Sequence, residues 1–349
     1  MSGRERVAAL RPRVLACLLG GAIGDALGNP VEFLSLRRIR ETYGPDGLTG
    51  MVRHEVTDDT QMTLFTTEGL IRALLHGRGT VAAVHDAYLR WLDTQDHPGP
   101  PPAGDDPVRT GWLREQNWLY ARRAPGATCL SGLRTGVRPS ADADAPDRTG
   151  PVNPHSKGCG TVMRSAPFGF VSLRFEHAAR CARITHGHPA AGDAAGALAL
   201  IIGGLAHGED LRHAVGRALG RLGCEGGETA AALRSALDLA AAGAPSAEQV
   251  ERLGGGWVAE EALAIAVYCA LAAPDPRTAL LLAVNHSGDS DSTGAICGNI
   301  LGAWHGAEAL PAEWAAVVEG RGTITDIAGD FAEVLVTRRL PADRAVRYP

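Results

Sequence analysis

The sequence has no excess of basic residues. Its 34 lysine and arginine residues are outnumbered by 39 aspartate and glutamate residues, which gives a formal net charge of -5 at pH 7. A protein that binds nucleic acid through the phosphate backbone usually carries a basic field. The overall charge therefore gives no reason to expect constitutive nucleic-acid binding.

Paired cysteines and long apolar runs are missing as well. The 7 cysteines are scattered, and no two are spaced as Cys-x-x-Cys, so we expect reduced thiols. The apolar stretch after the arginine-rich residues 1–13 is broken by Gly20, Gly24 and Asp25, so we expect no signal peptide. No uninterrupted apolar stretch reaches the roughly 18 residues that a membrane span requires. These absences favour a cytoplasmic protein that does not enter a membrane.

The alternation of polar and apolar residues that is typical of a half-buried strand is also lacking. With 349 residues and 45% hydrophobic content, the chain can bury a large core. We expect an all-α fold in a single domain over residues 1–349, with a long loop over residues 135–157. Apolar residues recur at helical spacing over residues 14–27, 57–76, 81–94, 175–184, 189–206, 211–222, 228–242, 260–271 and 278–284.

Glycines recur every four residues in two of these segments and in the apolar stretch that follows Asp289-Ser290-Asp291. Each glycine inside a helix costs about 1 kcal/mol relative to alanine, so a stripe of them needs a compensating use. Close approach of two helix backbones would provide it. We therefore expect two or all three of these segments to cross at short range. The stripes are Gly20, Gly24 and Gly28; Gly192 and Gly196; and Gly294, Gly298, Gly302 and Gly306.

Two acidic stretches stand out because each begins a helical pattern. One is Thr57-Asp58-Asp59-Thr60, and the other is Asp289-Ser290-Asp291-Ser292-Thr293. Their carboxylate and hydroxyl oxygens are the donors that hard cations such as Mg²⁺, Mn²⁺ or Ca²⁺ prefer. A single acidic helix start is more often a cap for unpaired N–H groups. Two such starts favour one shared cation site, which would require segments far apart in the sequence to meet.

An ordered set of motifs resembles the ADP-ribosylglycohydrolase family, and the resemblance extends over nearly the whole chain. The motifs are Gly24-Asp25-Ala26-Leu27-Gly28 with Glu32, Thr57-Asp58-Asp59-Thr60, Gly158-Cys159-Gly160 with Met163-Arg164, Thr185-His186, and Gly288-Asp289-Ser290-Asp291-Ser292-Thr293-Gly294. The resemblance implies an all-α fold around a binuclear centre of two Mg²⁺ or Mn²⁺ ions. It further implies hydrolysis of the bond between C1″ of ADP-ribose and an acceptor, with a metal-activated water as the nucleophile.

The resemblance also assigns roles to individual residues. Glu32, Asp58, Asp289 and Asp291 match catalytic carboxylates, whereas Asp25 is more typical of a helix-packing or capping group. Ser292 stands where relatives more often have threonine, so a hydroxyl is retained. The implied metal ligands are Thr57, Asp58, Asp59, Asp289, Asp291 and Ser292, and the implied substrate-binding residues are Gly126, Ser156, Lys157, Gly158, Cys159, Gly160 and His186.

Three positions depart from the family pattern. Lys157 replaces a frequent aromatic residue and could instead meet a phosphate, and Cys159 replaces an asparagine. Ala124-Pro125 precedes Gly126 where arginine-directed members have an acidic residue. Arginine specificity is therefore not carried over by the resemblance.

The expected partner is an ADP-ribosylated acceptor, first of all a protein, with nucleic acids and small molecules as other candidates. Two alternatives remain open. One is a non-catalytic ADP-ribose-binding or crystallin-like protein. The other is a metal phosphohydrolase of ADP-ribose-like nucleotides, which would release AMP. The presence of all four aspartates, Asp58, Asp59, Asp289 and Asp291, favours an enzyme over the non-catalytic alternative.

Overall fold

The computed structural model describes residues 2–138, 149–172, 174–223 and 227–349. Within these residues the secondary structure is helical, and no β-strand is present, so the predicted all-α fold is confirmed. The helices are α1 (Gly3–Gly28), α2 (Leu36–Tyr43), α3 (Asp58–His76), α4 (Thr80–Asp96), α5 (Ala127–Arg134), α6 (Arg174–Ala182), α7 (Pro189–Ala206), α8 (Leu211–Leu222), α9 (Gly227–Ala241), α10 (Ala247–Glu251), α11 (Ala259–Ala272), α12 (Pro276–Val284), α13 (Ser290–His305), α14 (Ala312–Val317), α15 (Arg321–Thr337) and α16 (Ala342–Ala345).

The predicted long loop is described only in part, because residues 139–148 lie outside the described residues. Residues 135–138 and 149–157 contain no helix or strand. The loop leads into the turn around Gly158, which forms an isolated antiparallel bridge with Val258. This bridge holds the glycine-rich turn against the segment that precedes α11.

Helices α1 and α13 cross so closely that their backbones touch. A methyl group added at Gly24 would collide with the backbone of Gly294, and one added at Gly20 would collide with the carbonyl oxygen of Gly298. The side-chain amide of Asn299 donates a hydrogen bond of 2.8 Å to the backbone of α1. The predicted use of the glycine stripes is therefore confirmed for these two helices.

The glycine stripe of α7 packs against side chains and backbone of α6 instead. Gly196 of α7 faces the ring of Phe175 on α6, and Gly192 faces the backbone of Ala179 on the same helix. Gly306 lies just beyond α13 and has a positive φ of 83°. It therefore belongs to the helix end rather than to the crossing.

Asp25 joins the end of α1 to the start of α3. Its buried carboxylate accepts hydrogen bonds from the backbone N–H of Thr57 (3.0 Å) and of Thr60 (3.1 Å). It also accepts hydrogen bonds from the hydroxyls of the same two residues, at 2.9 and 2.5 Å. Asp25 thus caps α3 from another helix, as predicted. Together with the α1–α13 crossing, this cap brings the starts of α3 and α13 to the same end of α1.

Two helices, Gly3–Gly28 and Pro189–Ala206, are long and apolar enough to cross a membrane if length and composition are the only criteria. Most of the apolar window of each helix is buried against the rest of the protein. Core helices with this degree of burial meet the same criteria, so the finding is weak evidence for a membrane span.

Candidate active site

The two acidic helix starts meet in one pocket. Asp58 and Asp59 form the first turn of α3, Asp289 caps α13, and Asp291 lies in the first turn of α13. All four are buried, and all four line the same cavity. The predicted convergence of these distant segments is therefore confirmed.

Glu32 completes the group from the turn that follows α1. Its carboxylate and those of Asp289 and Asp291 each offer an oxygen atom, and these three atoms lie within 4.8 Å of one another. We call Glu32, Asp58, Asp59, Asp289 and Asp291 the carboxylate cluster. Such a group could hold a metal ion.

Burial and mutual repulsion disfavour the charged form of the cluster. The pKa of Glu32 is raised to about 10 by burial and then by the charge of Asp291 and the other nearby carboxylates. Burial, followed by the charge of Asp291, also raises the pKa of Asp58 and that of Asp59 well above the ordinary value. Among the described residues that line the pocket, none is Lys or Arg. Within this described lining, no lysine or arginine side chain balances these charges.

A divalent cation fits this donor set. The Oδ1 atom of Asp59 is buried and has no hydrogen-bond partner among the described residues, and an unpaired buried carboxylate oxygen is costly. The hydroxyl of Thr57 donates to Asp25 at 2.9 Å, so its oxygen keeps lone-pair capacity. With oxygen donors only, these groups suit a hard divalent cation such as Mg²⁺, Mn²⁺ or Ca²⁺.

The pocket has a volume of about 460 Å³, within the usual range for small-molecule sites. Five of the predicted substrate-binding residues line it, namely Gly126, Gly158, Cys159, Gly160 and His186. The backbone N–H of Gly126 donates to Asp58 at 3.3 Å. The loop before α5 is therefore fixed directly against the carboxylate cluster.

The other two predicted substrate-binding residues do not line the pocket in this structure. Lys157 forms ion pairs with Glu228 and Glu260. The hydroxyl of Ser156 donates to the Thr128 hydroxyl at 3.3 Å, and Thr128 does line the pocket. For Lys157 to meet a phosphate, it would have to leave these two carboxylates.

His186 is a buried, neutral member of the pocket wall. Burial and then the charge of Arg164 lower its pKa to about 3. Arg164 donates to the Thr185 hydroxyl at 2.7 Å, and that hydroxyl lies 2.8 Å from Nδ1 of His186. Because the Thr185 hydroxyl oxygen accepts from Arg164, the hydroxyl can donate its own hydrogen to Nδ1 of His186. A neutral imidazole that accepts at Nδ1 carries its hydrogen at Nε2. This arrangement leaves Nε2 as a donor beside Gly158 and Gly160.

Cys159 is a protonated thiol beside the carboxylate cluster. Its Sγ lies 2.7 Å from Oδ2 of Asp289, to which it donates. Burial and then the negative charge of Asp289 raise the pKa of this thiol well above the ordinary value. A thiolate nucleophile is therefore disfavoured at this position.

Some pocket residues were missed by the sequence analysis. Phe33 and Trp257 line the cavity, although neither belongs to a periodic pattern. Two signals were available: Phe33 directly follows Glu32, and Trp257 directly follows Gly254-Gly255-Gly256. A large aromatic residue next to an acidic candidate or a glycine run in a loop is a reasonable candidate for a binding surface.

The sequence is similar to three known proteins over most of their lengths. The chain is 29% identical over 331 residues to an uncharacterised protein of Archaeoglobus fulgidus, covering 91% of this chain and 95% of that protein. It is 27% identical over 317 residues to the ADP-ribosyl-[dinitrogen reductase] glycohydrolase of Rhodospirillum rubrum, covering 86% and 88%. It is 24% identical over 327 residues to the ADP-ribosylarginine hydrolase Tri1 of Pseudomonas putida, covering 91% and 77%.

A solved structure described as an ADP-ribosylglycohydrolase-related protein complex has the same fold. It superposes with a TM-score of 0.63 at 24% identity and covers 93% of this chain and 98% of that chain. The model of the ADP-ribosylglycohydrolase family matches residues 6–341, nearly the whole sequence. The chain therefore belongs to the ADP-ribosylglycohydrolase family.

Proposed function

We propose that this protein hydrolyses the glycosidic bond between C1″ of ADP-ribose and an acceptor group on a protein, with the help of two Mg²⁺ or Mn²⁺ ions. Membership in a family of ADP-ribosyl hydrolases supports the general activity. The observation that carries the finer proposal is the carboxylate cluster, in which five buried acidic side chains line one cavity. Burying so many like charges without a cation would be costly.

The metal ions would be held by Thr57, Asp58, Asp59, Asp289, Asp291 and Ser292. When bound, two such ions supply positive charge that lowers the pKa of a water molecule and fixes oxygens of the substrate. The protein's part is to present these oxygen donors in a buried site. Because Asp25 and the α1–α13 crossing position the two helix starts, the donors are organised before substrate arrives.

The chain's own residues have three further roles in this proposal. The carboxylate cluster places negative charge beside C1″, where an oxocarbenium-like transition state becomes positive. Glu32, which shares a small space with Asp289 and Asp291, moves a proton between water and the leaving acceptor. The backbone around Gly158 and the Nε2–H of His186 offer donors to the ADP-ribose part of the substrate.

The proposal predicts metal-dependent release of intact ADP-ribose. With Mg²⁺ or Mn²⁺ and an ADP-ribosylated protein, liquid chromatography of the products should show ADP-ribose. Chelation with EDTA should reduce the rate by at least about 100-fold, and added Mn²⁺ or Mg²⁺ should restore it. Chelation should also lower the melting temperature, because an ion that binds only the folded state stabilises it.

Other products would point to other functions. Release of AMP would identify a phosphohydrolase. Binding of ADP-ribose without any product from a panel of arginine, serine, O-acetyl and nucleobase linkages would identify a non-catalytic binding protein. Either result would overturn the proposed hydrolase activity.

A further inference from the structure

A second, much smaller cavity also has Asp59 in its wall. Its volume is about 10 Å³, compared with about 460 Å³ for the pocket that holds the carboxylate cluster. The rest of its wall is formed by buried residues of α1, α3 and α13. The Asp59 side chain is therefore shared between the candidate active site and a small space in the protein interior.

Two side chains in the wall of this small cavity each have an oxygen atom without a hydrogen-bond partner. These atoms are Oδ1 of Asp59 and Oδ1 of Asn299, both buried and both unpaired among the described residues. The two side chains belong to residues that are only 3% and 1% exposed. A buried polar atom without a partner is costly, and such atoms in native proteins usually bond to ordered water. Two of them in one wall indicate a shared ligand.

The orientation of both side chains is fixed by their other contacts. Nδ2 of Asn299 donates a hydrogen bond of 2.8 Å to the backbone carbonyl of Cys17. Because a carbonyl can only accept, the amide nitrogen must lie on that side, and Oδ1 is the atom left over. Gly21 leaves room for this arrangement, since a methyl group there would collide with Nδ2. In Asp59, Oδ2 lies 3.5 Å from the Thr57 hydroxyl, which leaves Oδ1 unpaired.

The other polar side chains of this wall are two hydroxyls that donate elsewhere. Thr60 donates to Asp25 at 2.5 Å, and Thr63 donates to the backbone carbonyl of Met163 at 3.3 Å. The ligand must therefore bring its own donors. A water molecule has two O–H groups, and a polar cavity of about 10 to 15 Å³ holds one such molecule. Mg²⁺ or Ca²⁺ takes about six or more oxygen ligands, which exceeds the four polar side chains of this wall.

We propose that one water molecule occupies this cavity and donates one hydrogen bond to Oδ1 of Asp59 and one to Oδ1 of Asn299. Asn299 is then a positioning residue, because it holds the Asp59 carboxylate through the water at one rotation, with Oδ2 towards Thr57. The bridge also connects Asp59 to the α1–α13 crossing, since Asn299 is itself bonded to Cys17. The water does not depend on the proposed function, whereas its effect on turnover rests on that function.

A high-resolution crystal structure of the wild-type protein tests the water directly. We expect density for one oxygen atom at about 2.5 to 3.0 Å from both Oδ1 atoms. A site with about six oxygen ligands would identify a cation instead. A cavity without density would show that the two oxygen atoms share no ligand. Either of these last two results would overturn the inference.

Two substitutions of similar volume separate the water bridge from general packing. Asn299→Leu keeps most of the side-chain volume but removes the Oδ1 acceptor. In crystals of this variant the water should be lost, and the Asp59 carboxylate should rotate to another partner. Thr63→Val removes a hydroxyl from the same wall and should leave the water and Asp59 in place. An unchanged rotation of Asp59 in Asn299→Leu would contradict the positioning role.

Asn299→Ala provides a second test that does not require Asn299→Leu to fold. The smaller side chain leaves room for a second water that accepts from the first, so crystals of Asn299→Ala should contain two waters and an unrotated Asp59. With an ADP-ribosylated protein as substrate, kcat should fall by about 10- to 100-fold in Asn299→Leu and by less in Asn299→Ala, with KM close to wild type in both. Packing alone gives the opposite order, because a large-to-small change in a core costs more than one that conserves volume. That opposite order of kcat would overturn the positioning role.

A failure of the proposed function would be recognised separately. If the wild-type protein released no ADP-ribose from any substrate, the hydrolase proposal would be overturned. The density in the small cavity and the rotation of Asp59 in the Asn299 variants would still decide whether the water bridge exists.

Discussion

Asp289→Asn is expected to reduce ADP-ribose release by about a thousandfold or more while the protein stays folded. Asp289 caps α13 through its side chain, and asparagine caps a helix about as well as aspartate. The substitution therefore keeps the local fold and removes one charged oxygen donor from the carboxylate cluster. Turnover of an ADP-ribosylated protein, measured with saturating Mg²⁺ or Mn²⁺, provides the test.

The same variant should separate charge repulsion from metal binding. The charge of Asp289 helps to raise the pKa of Glu32 and of Asp59, so it opposes the neighbouring negative charges when no cation is bound. Without metal, Asp289→Asn should melt at the same temperature as wild type or higher. The rise in melting temperature that Mg²⁺ produces in wild type should become smaller or vanish.

A matched control is available at another helix start. Asp275 caps α12 and accepts a hydrogen bond of 3.0 Å from the backbone N–H of Thr278, and it is not among the residues that line the pocket. Asp275→Asn should keep wild-type turnover and the full stabilisation by Mg²⁺. Wild-type turnover in Asp289→Asn, or an equal loss in the control, would contradict the assignment of Asp289 to the site.

Gly24→Ala is expected to destabilise the fold by about 3 kcal/mol or more, because the added methyl group overpacks a rigid contact. The atoms it would strike belong to the backbone of Gly294 and Ala295 on α13, and a backbone cannot rotate away as a side chain can. The two helices must separate to make room. Urea denaturation would measure the change, and loss of soluble protein would be the extreme form of the same result.

A second glycine provides the comparison. Gly216 lies within α8, and a methyl group added there would meet nothing within 4 Å. Gly216→Ala should stabilise the protein by up to about 1 kcal/mol, since alanine is the better helix former. If Gly24→Ala were as stable as wild type, the close crossing would not be required for folding.

The sequence predicted the ends of some helices well. Helices α7 and α8 begin and end where expected: Pro189 lies at the start of α7, and Asp210 caps α8. Helix α1 begins eleven residues earlier than residue 14, at Gly3, and the capping box formed by Ser2 and Glu5 marks that start. Helix α15 was missed, and its cap, Gly320, makes no side-chain hydrogen bond. A polar cap is therefore not decisive, because α11 has no side-chain cap and was predicted to within one residue at each end, whereas the short helix α2 is capped by Ser35 and was missed.

Some residues of the candidate site could be predicted from the sequence, and others could not. The acidic residues could be found from their type and from their places at helix starts. The ion pairs of Lys157 could not, because its partners Glu228 and Glu260 are 71 and 103 residues away in the sequence. Phe33 and Trp257 could not be recognised as a pair for the same reason, since only the folded chain brings the two loops together. Tertiary contacts decide such features, and local periodicity carries no information about them.

The contact between α1 and α13 also has a consequence for how relatives of this protein can diverge. Where the backbones of two helices are in contact, no side chain lies between them whose replacement could change the distance between the two acidic segments. The relative position of the two acidic helix starts is thus set by a buried contact between backbones. Substitutions in the loops that frame the opening, by contrast, can change the pocket without moving the oxygen atoms of the carboxylate cluster.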